Sequence, residues 1–194
     1  MSNMAPIRDD VTACYNRLTG AAARRDEAVE ATLARIIASW AYGQSVLPQW
    51  LGLGELEFRR MLHHHFPAIQ PHSLLGYDHP PMCENDEEMG DLRNLLLSNR
   101  AQQSQSEHWL VEIMIFGCLG KDHLWQDLGL WSRADLSQLM SNHFTPLFEM
   151  NSKNMKWKKF LYKRLCETEG IYTCRAPSCE ACADYSVCFA PEDS

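Results

Sequence analysis

The segment Asp26–Tyr42, DEAVEATLARIIASWAY, indicates the fold class, because its apolar residues recur every three or four positions. This spacing places them on one face of an α-helix. A comparable run lies between Glu107 and Leu119, and no segment shows the sustained alternation typical of a strand. The sequence therefore predicts an all-α fold. The predicted core residues of the two runs are Ala28, Val29, Leu33, Ile36, Ile37, Trp40, Leu110, Val111, Met114, Ile115 and Cys118.

The chain also resembles itself at an offset of 77 residues. Leu51-Gly52-Leu53 falls on Leu128-Gly129-Leu130 and, after one inserted residue, His65-Phe66 falls on His143-Phe144. Similarity at a fixed period is the signature of an internal repeat, although coincidence among common helix residues is the alternative. The repeated unit would be a helix, a Leu-Gly-Leu turn and a second helix. We expect a third helix, about Asp86 to Arg100, to separate the two copies.

Length and composition bound the organisation of the chain. Its 194 residues are enough for one domain with its own hydrophobic core. We divide it into an N-terminal segment open to flexibility (1–25), a helical domain (26–168) and a cysteine-rich tail (169–194). The net charge of −7 argues against nucleic-acid binding, and no apolar run approaches the length of a membrane span. We expect a cytoplasmic protein, since the N-terminus lacks a secretory signal.

The tail contains four cysteines in the pattern C-x4-C-x2-C-x5-C, which are Cys174, Cys179, Cys182 and Cys188. Thiols in the cytosol stay reduced, so this clustering indicates a metal site rather than disulfides. A structural zinc site is the main alternative, but zinc sites usually pair two short knuckles across a long spacer. Four thiolates in one short loop favour an iron-sulfur centre. The other cysteines, Cys14, Cys83, Cys118 and Cys166, are scattered along the chain.

Several stretches resemble the NifQ family of nitrogen-fixation proteins. They are Met155–Tyr162, Leu165–Glu167, Cys174–Cys179, Asp122–Leu130, and His143-Phe144 followed by Pro146 and Leu147. The resemblance runs from about Trp40 to Phe189, and the cysteine spacing matches the family pattern. It implies a molybdenum-iron-sulfur protein, with the four tail cysteines as cluster ligands, that supplies molybdenum for the nitrogenase iron-molybdenum cofactor. It also implies the nitrogenase iron protein and the cofactor scaffold complex as partners, and a carrier rather than an enzyme.

Two further features gain a role from this resemblance. The last predicted helix, about Ser152 to Glu167, carries six basic residues. They could attract the molybdate dianion, dock an acidic partner or only increase solubility. Molybdenum could also need a ligand other than sulfur, for which His123 is the first residue to test. The basic residues are Lys153, Lys156, Lys158, Lys159, Lys163 and Arg164.

Two other classes of protein remain open from the sequence. An iron-sulfur DNA-repair glycosylase has a similar cluster loop, but the acidic net charge argues against it. A zinc-stabilised helical adaptor would need no chemistry at all. Cluster nuclearity and oligomeric state do not follow from the sequence.

Overall fold

The computed structural model of the protein describes residues 8–80 and 86–169. Within these ranges every regular element is helical, which confirms the predicted all-α class. Cys83 and the four cysteines of the tail lie outside the described residues. The helices are α1 Asp9–Gly20, α2 Glu27–Ala41, α3 Glu55–His65, α4 Asp86–Ser98, α5 Gln105–Cys118, α6 Leu124–Asp127, α7 Arg133–His143, α8 Thr145–Met150 and α9 Trp157–Glu169, with short 3-10 turns at Gln49–Gly52 and Pro71–Leu74.

Helices α2 and α5 form the centre of the fold. Each begins at a side chain that caps its first turn: Asp26 accepts a hydrogen bond from the Val29 N–H at 3.1 Å, and Ser104 accepts one from the Glu107 N–H at 3.2 Å. Of their predicted core residues only Ala28 is not fully buried. Burial extends beyond one face, however, because α1 packs on α2 and α4 packs on α5. Each central helix is therefore covered on several sides.

The repeat seen in the sequence is also present in the local structure. Both Leu-Gly-Leu turns place their glycine at positive φ, +80° for Gly52 and +75° for Gly129, a conformation that glycine adopts without strain. The helices that follow, α3 and α7, have 11 residues each and begin after Gly54 and Ser132. Since these two caps are 78 positions apart, the inserted residue of the second copy is Trp131.

The duplication extends further than the sequence motif indicated. The buried residues of α1 and α4 correspond at an offset of 78, so α4 is the counterpart of α1 and not a spacer between the copies. The first copy is α1, α2 and α3, and the second is α4, α5 and α7. Helix α1 lies in the segment that the sequence analysis placed outside the helical domain. The corresponding pairs are Val11 with Met89, Cys14 with Leu92, and Leu18 with Leu96.

Each copy buries one glutamate and one histidine at the start of its central helix. The Glu30 carboxylate accepts the N–H groups of Arg24 and Arg25, and it lies 3.7 Å from His65 Nδ1. The Glu107 carboxylate likewise closes the loop before α5 and lies 3.7 Å from His143 Nδ1. Burial lowers the pKa of both histidines, so they pack at helix ends as neutral rings.

The last helix begins later than predicted. Residues 151–154 form a turn, in which the Asn151 side chain bonds both the N–H and the carbonyl of Met155, and α9 starts at Trp157. Met155, Phe160 and Leu161 are buried. In the described part of the chain, no helix combines the length and hydrophobicity that a bilayer span requires.

Candidate metal-cluster site

The four cysteines of the tail follow α9 in the chain. Cys174 follows the last residue of this helix, Glu169, by five positions. Within residues 8–80 and 86–169, no three Cys, His, Asp or Glu side chains are grouped so that they could hold a metal ion. The fit of a cluster therefore rests on the donor set of the tail, and four soft thiolates suit iron and sulfide.

Lys158 does not belong to an open basic surface. Its Nζ donates to the Gly120 carbonyl at 2.9 Å and to Asp127 Oδ2, whose side chain is only 1% exposed. The charge of Lys158 is thus neutralised inside the protein. For the six basic residues the sequence left open molybdate attraction, docking and solubility, but Lys158 has a different role, because it joins α9 to the turn after α5 and to α6.

Asp127 lies close against the backbone of the turn between α5 and α6. Its Oδ2 also accepts the Asp122 N–H at 3.0 Å, and a Cβ added to Gly120 would come within 2.4 Å of its carboxylate. The close approach of Asp127 is what requires a glycine at position 120. Backbone conformation is not the reason, because the φ of Gly120 lies outside the left-handed region. Burial raises the pKa of Asp127, and the opposing effect of Lys158 does not fully offset it.

The remaining basic residues of the predicted last helix are arranged differently. Lys156 is half-buried just before α9 and Lys159 is exposed in its first turn, whereas Lys163 and Arg164 pair with Glu167 at 3.7 and 2.5 Å. Lys153 and Lys159 each have an interaction of their own.

Cys118 is a buried apolar residue, as the sequence analysis expected. It is 3% exposed, and burial raises the pKa of its thiol to about 12. A thiol must lose its proton to bind a metal, so this environment disfavours coordination. Cys14 is also buried with a raised pKa, while Cys166 is half-buried on α9.

The histidines lie in separate environments. His123 precedes α6, is half-buried, and donates its backbone N–H to Gln126 Oε1 at 3.2 Å. Its position relative to the cysteines lies outside the described residues, so its role as a molybdenum ligand stays a prediction. In the run His63-His64-His65, the first ring is exposed and the third is buried, as expected for successive helical positions.

Sequence reasoning missed the buried carboxylate at the base of α9. Asp127 was noticed only as part of the stretch Asp122–Leu130. The available signal was its place within Leu-Trp-Gln-Asp-Leu-Gly-Leu, since a carboxylate in an otherwise apolar run needs a partner when it is buried. The identity of that partner, 31 residues further along the chain, was not visible.

Comparison with known proteins adds independent evidence. The family model described as NifQ matches residues 32–190, which include all four tail cysteines. Protein NifQ of Azotobacter vinelandii is 42% identical over 184 residues, covering 90% of this chain and 94% of that relative. Protein NifQ of Rhodobacter capsulatus is 30% identical over 86% of this chain and 90% of its own length. No solved structure matches. The chain belongs to the NifQ family of nitrogen-fixation proteins.

Proposed function

We propose that this protein carries molybdenum within an iron-sulfur cluster and donates it for assembly of the nitrogenase iron-molybdenum cofactor. The observation that carries the proposal is the four-cysteine pattern, which lies inside the family match and directly after α9. Cys174, Cys179, Cys182 and Cys188 would hold the cluster. Molybdate is the expected source of the metal.

The chemistry of the donor set supports this assignment. Thiolates bind iron, and a thiolate-bound iron-sulfur cluster can include molybdenum through bridging sulfides. The buried thiols of Cys14 and Cys118 are poor alternatives, because burial raises their pKa. The cargo would therefore be held by the tail and not by the helical domain.

A carrier role is consistent with the residues of the helical domain. Its buried titratable groups are committed to structural contacts: Glu30 and Glu107 close loops, and Asp127 pairs with Lys158. A catalyst would need a nucleophile beside a base, or a phosphate-binding loop. We assign the nitrogenase iron protein and the cofactor scaffold complex as acceptors on the basis of family resemblance.

Lys156, just before α9, and Lys159, in its first turn, are the residues that we assign to molybdate attraction. A Lys ammonium attracts a dianion without demanding a fixed geometry. Changing both to Gln should lower molybdenum loading while iron content stays unchanged. Lys163→Gln is the matched control, since Lys163 pairs with Glu167 on the same helix. Equal loss of both metals would assign Lys156 and Lys159 to cluster stability instead.

The first test is metal analysis with visible absorption spectroscopy of anaerobically purified protein. Iron, sulfide and molybdenum together support the proposal. Zinc without iron would indicate the structural adaptor, and iron without molybdenum, after growth with molybdate, would reopen the glycosylase class.

The second test measures delivery. Limiting holo-protein is added to a cofactor-assembly mixture that contains the scaffold complex and iron protein but no molybdate. A carrier yields active cofactor in proportion to the molybdenum it brings. If added molybdate made catalytic amounts of the protein sufficient, the carrier assignment would fail and an enzymatic insertase would replace it.

A further inference from the structure

Helix α9 is attached to the preceding helices at its first turn by two directed contacts from one side chain. Lys158 Nζ donates to the Gly120 carbonyl and to Asp127 Oδ2, while Asp127 also accepts the Asp122 N–H. The acceptors lie in the turn just after α5 and in α6. They therefore fix the ammonium, and with it the start of α9, relative to two other helices.

Stability alone is a poor explanation for this pair. Asp127 is almost completely buried, and burial raises its pKa despite the neighbouring Lys158. Buried ion pairs often contribute no more to stability than apolar residues of similar volume. Such a pair can nevertheless select one arrangement of the elements it joins, because the wrong arrangement leaves a buried charge unpaired.

A second contact fixes the rotation of the helix. Tyr162 lies one turn after Lys158, and its hydroxyl donates to Glu88 of α4. Residues four apart lie on the same helix face, so both contacts address the same side of α9. Glu169 lies eleven residues beyond Lys158, about 16 Å along the axis, so a tilt of about 10° at the first turn would move the end by about 3 Å.

The carboxylate is also specific to the half of the molecule on which α9 packs. At the offset of 77, the counterpart of Asp127 in the first copy is Trp50, which is uncharged and half-buried. The glycines correspond as well, but Gly43 has a positive φ and meets the Tyr77 ring, whereas Gly120 meets Asp127. The two copies therefore diverge at the position where Lys158 arrives.

We propose that the Asp127–Lys158 pair is a positioning device, which sets the direction of α9 relative to α5 and α6 and so the place where the cysteine segment is presented to the acceptor of its metal. The last part of this inference rests on the proposed function. The part about the direction of α9 is independent of the proposed function, and this direction can be measured separately.

The test uses the double variant Asp127→Leu/Lys158→Met, which replaces both charges with apolar groups. Spin labels are attached through azide-bearing amino acids at two exposed positions, Gln138 on α7 and Glu167 on α9, and their separation is measured by pulsed electron paramagnetic resonance. We expect a broader or shifted distance distribution with helical content unchanged. The matched control is Arg93→Met/Glu112→Leu, which removes the ion pair between α4 and α5 and should leave the distribution as it is in the parent.

A distribution identical to that of the parent protein would overturn the inference. The functional measurement follows in the same variants: iron and molybdenum content should stay unchanged, while the rate of molybdenum delivery falls several-fold. A changed distribution with unchanged delivery would overturn the claim about presentation. If the parent protein delivers no molybdenum, the proposed function fails, and the distance measurement still decides the role of the pair. A double variant that does not fold would contradict the expectation that the pair is replaceable, and would assign it to stability.

Discussion

The two copies of the repeated unit share a backbone plan but fill the space beside their turns differently. In the second copy the inserted Trp131 packs on Tyr15 of α1, with 4.8 Å between ring centroids, and lies near Arg35. In the first copy no residue is inserted there, and a groove of about 530 Å³ remains between the turn and α5. A duplicated fold can thus keep its turns and caps while its two surfaces diverge.

The charged residues beside the two turns also differ between the copies. Arg35 in the second space corresponds to Glu112 in the groove, and Tyr15 corresponds to Arg93. The contact of Arg35 with the Tyr15 ring in one copy is therefore an ion pair between Arg93 and Glu112, at 2.8 Å, in the other. The same helix–helix interface is held by a cation and a ring in one case and by two charges in the other. Backbone correspondence is thus compatible with different side-chain chemistry.

The largest effect on metal content is expected from substitutions in the cysteine tail, which belongs to neither copy. Changing any one of Cys174, Cys179, Cys182 or Cys188 to Ala is expected to abolish stable cluster binding, because a thiolate ligand is lost. Both copies should stay folded, since their core is independent of the tail. Metal analysis and far-ultraviolet circular dichroism test this. Loss of helix together with metal would show that the copies depend on the cluster.

The turn glycines offer a direct comparison between the copies. Gly129→Ala should destabilise the protein by about 3 kcal/mol, because it combines strain at positive φ with a Cβ that would lie 2.7 Å from Ser39 Cβ. Gly52→Ala should cost less, about 1–2 kcal/mol, because its Cβ would meet only side-chain atoms, those of the Phe116 ring, whereas the Cβ at position 129 would also come within 3.2 Å of the Gln44 backbone carbonyl. Urea denaturation measures both. Equal costs would mean that the Phe116 ring does not move to make room.

Acid should weaken the fold through the buried histidines. Burial lowers the pKa of His65 to about 4, whereas the unfolded chain has a value near 6.5. The unfolded state therefore takes up the proton first, and stability present at neutral pH is lost as the pH falls from about 6.5 towards 4. The loss from His65 should reach about 2 kcal/mol at about pH 5.

Urea midpoints at about pH 7.5 and pH 5 test this expectation. His65→Gln should flatten the pH dependence, although it lowers stability at neutral pH. His63→Gln, at an exposed position of the same helix, is the control and should keep the full dependence. A His65→Gln protein as acid-sensitive as its parent would remove His65 from the explanation.

The smallest effect concerns the contact that only one histidine makes. His65 Nε2 bonds the Ser106 hydroxyl at 3.0 Å, but the residue of α2 that corresponds to Ser106 is Val29, which has no hydroxyl, and His143 Nε2 has no hydrogen-bond partner among the described residues. Ser106→Ala should cost about 1 kcal/mol, because the buried His65 ring loses this hydrogen bond. Thermal denaturation of the variant would measure this. A Ser106→Ala protein as stable as its parent would show that the hydrogen bond makes no net contribution.

Local patterns in the sequence were sufficient to predict much of the fold. The periodicity of Asp26–Tyr42 identified α2 and its core face. The start of α9 was predicted five residues too early, because the turn at 151–154 depends on the Asn151 side chain. The capping box of Ser104 and Glu107 was overlooked, although both residues are plain in the sequence.

The sequence was enough to predict the helical class, the two central helices, the repeated turn and the spacing of the tail cysteines, because each of these is encoded over a short segment of chain. Only the folded structure shows that α4 is the counterpart of α1 and that the charge of Lys158 is neutralised. It also placed Glu30 beside His65 and Glu107 beside His143. These features depend on pairs of residues separated by 31 positions or more, as for Asp127 and Lys158, and only the packing of the helices brings such pairs together.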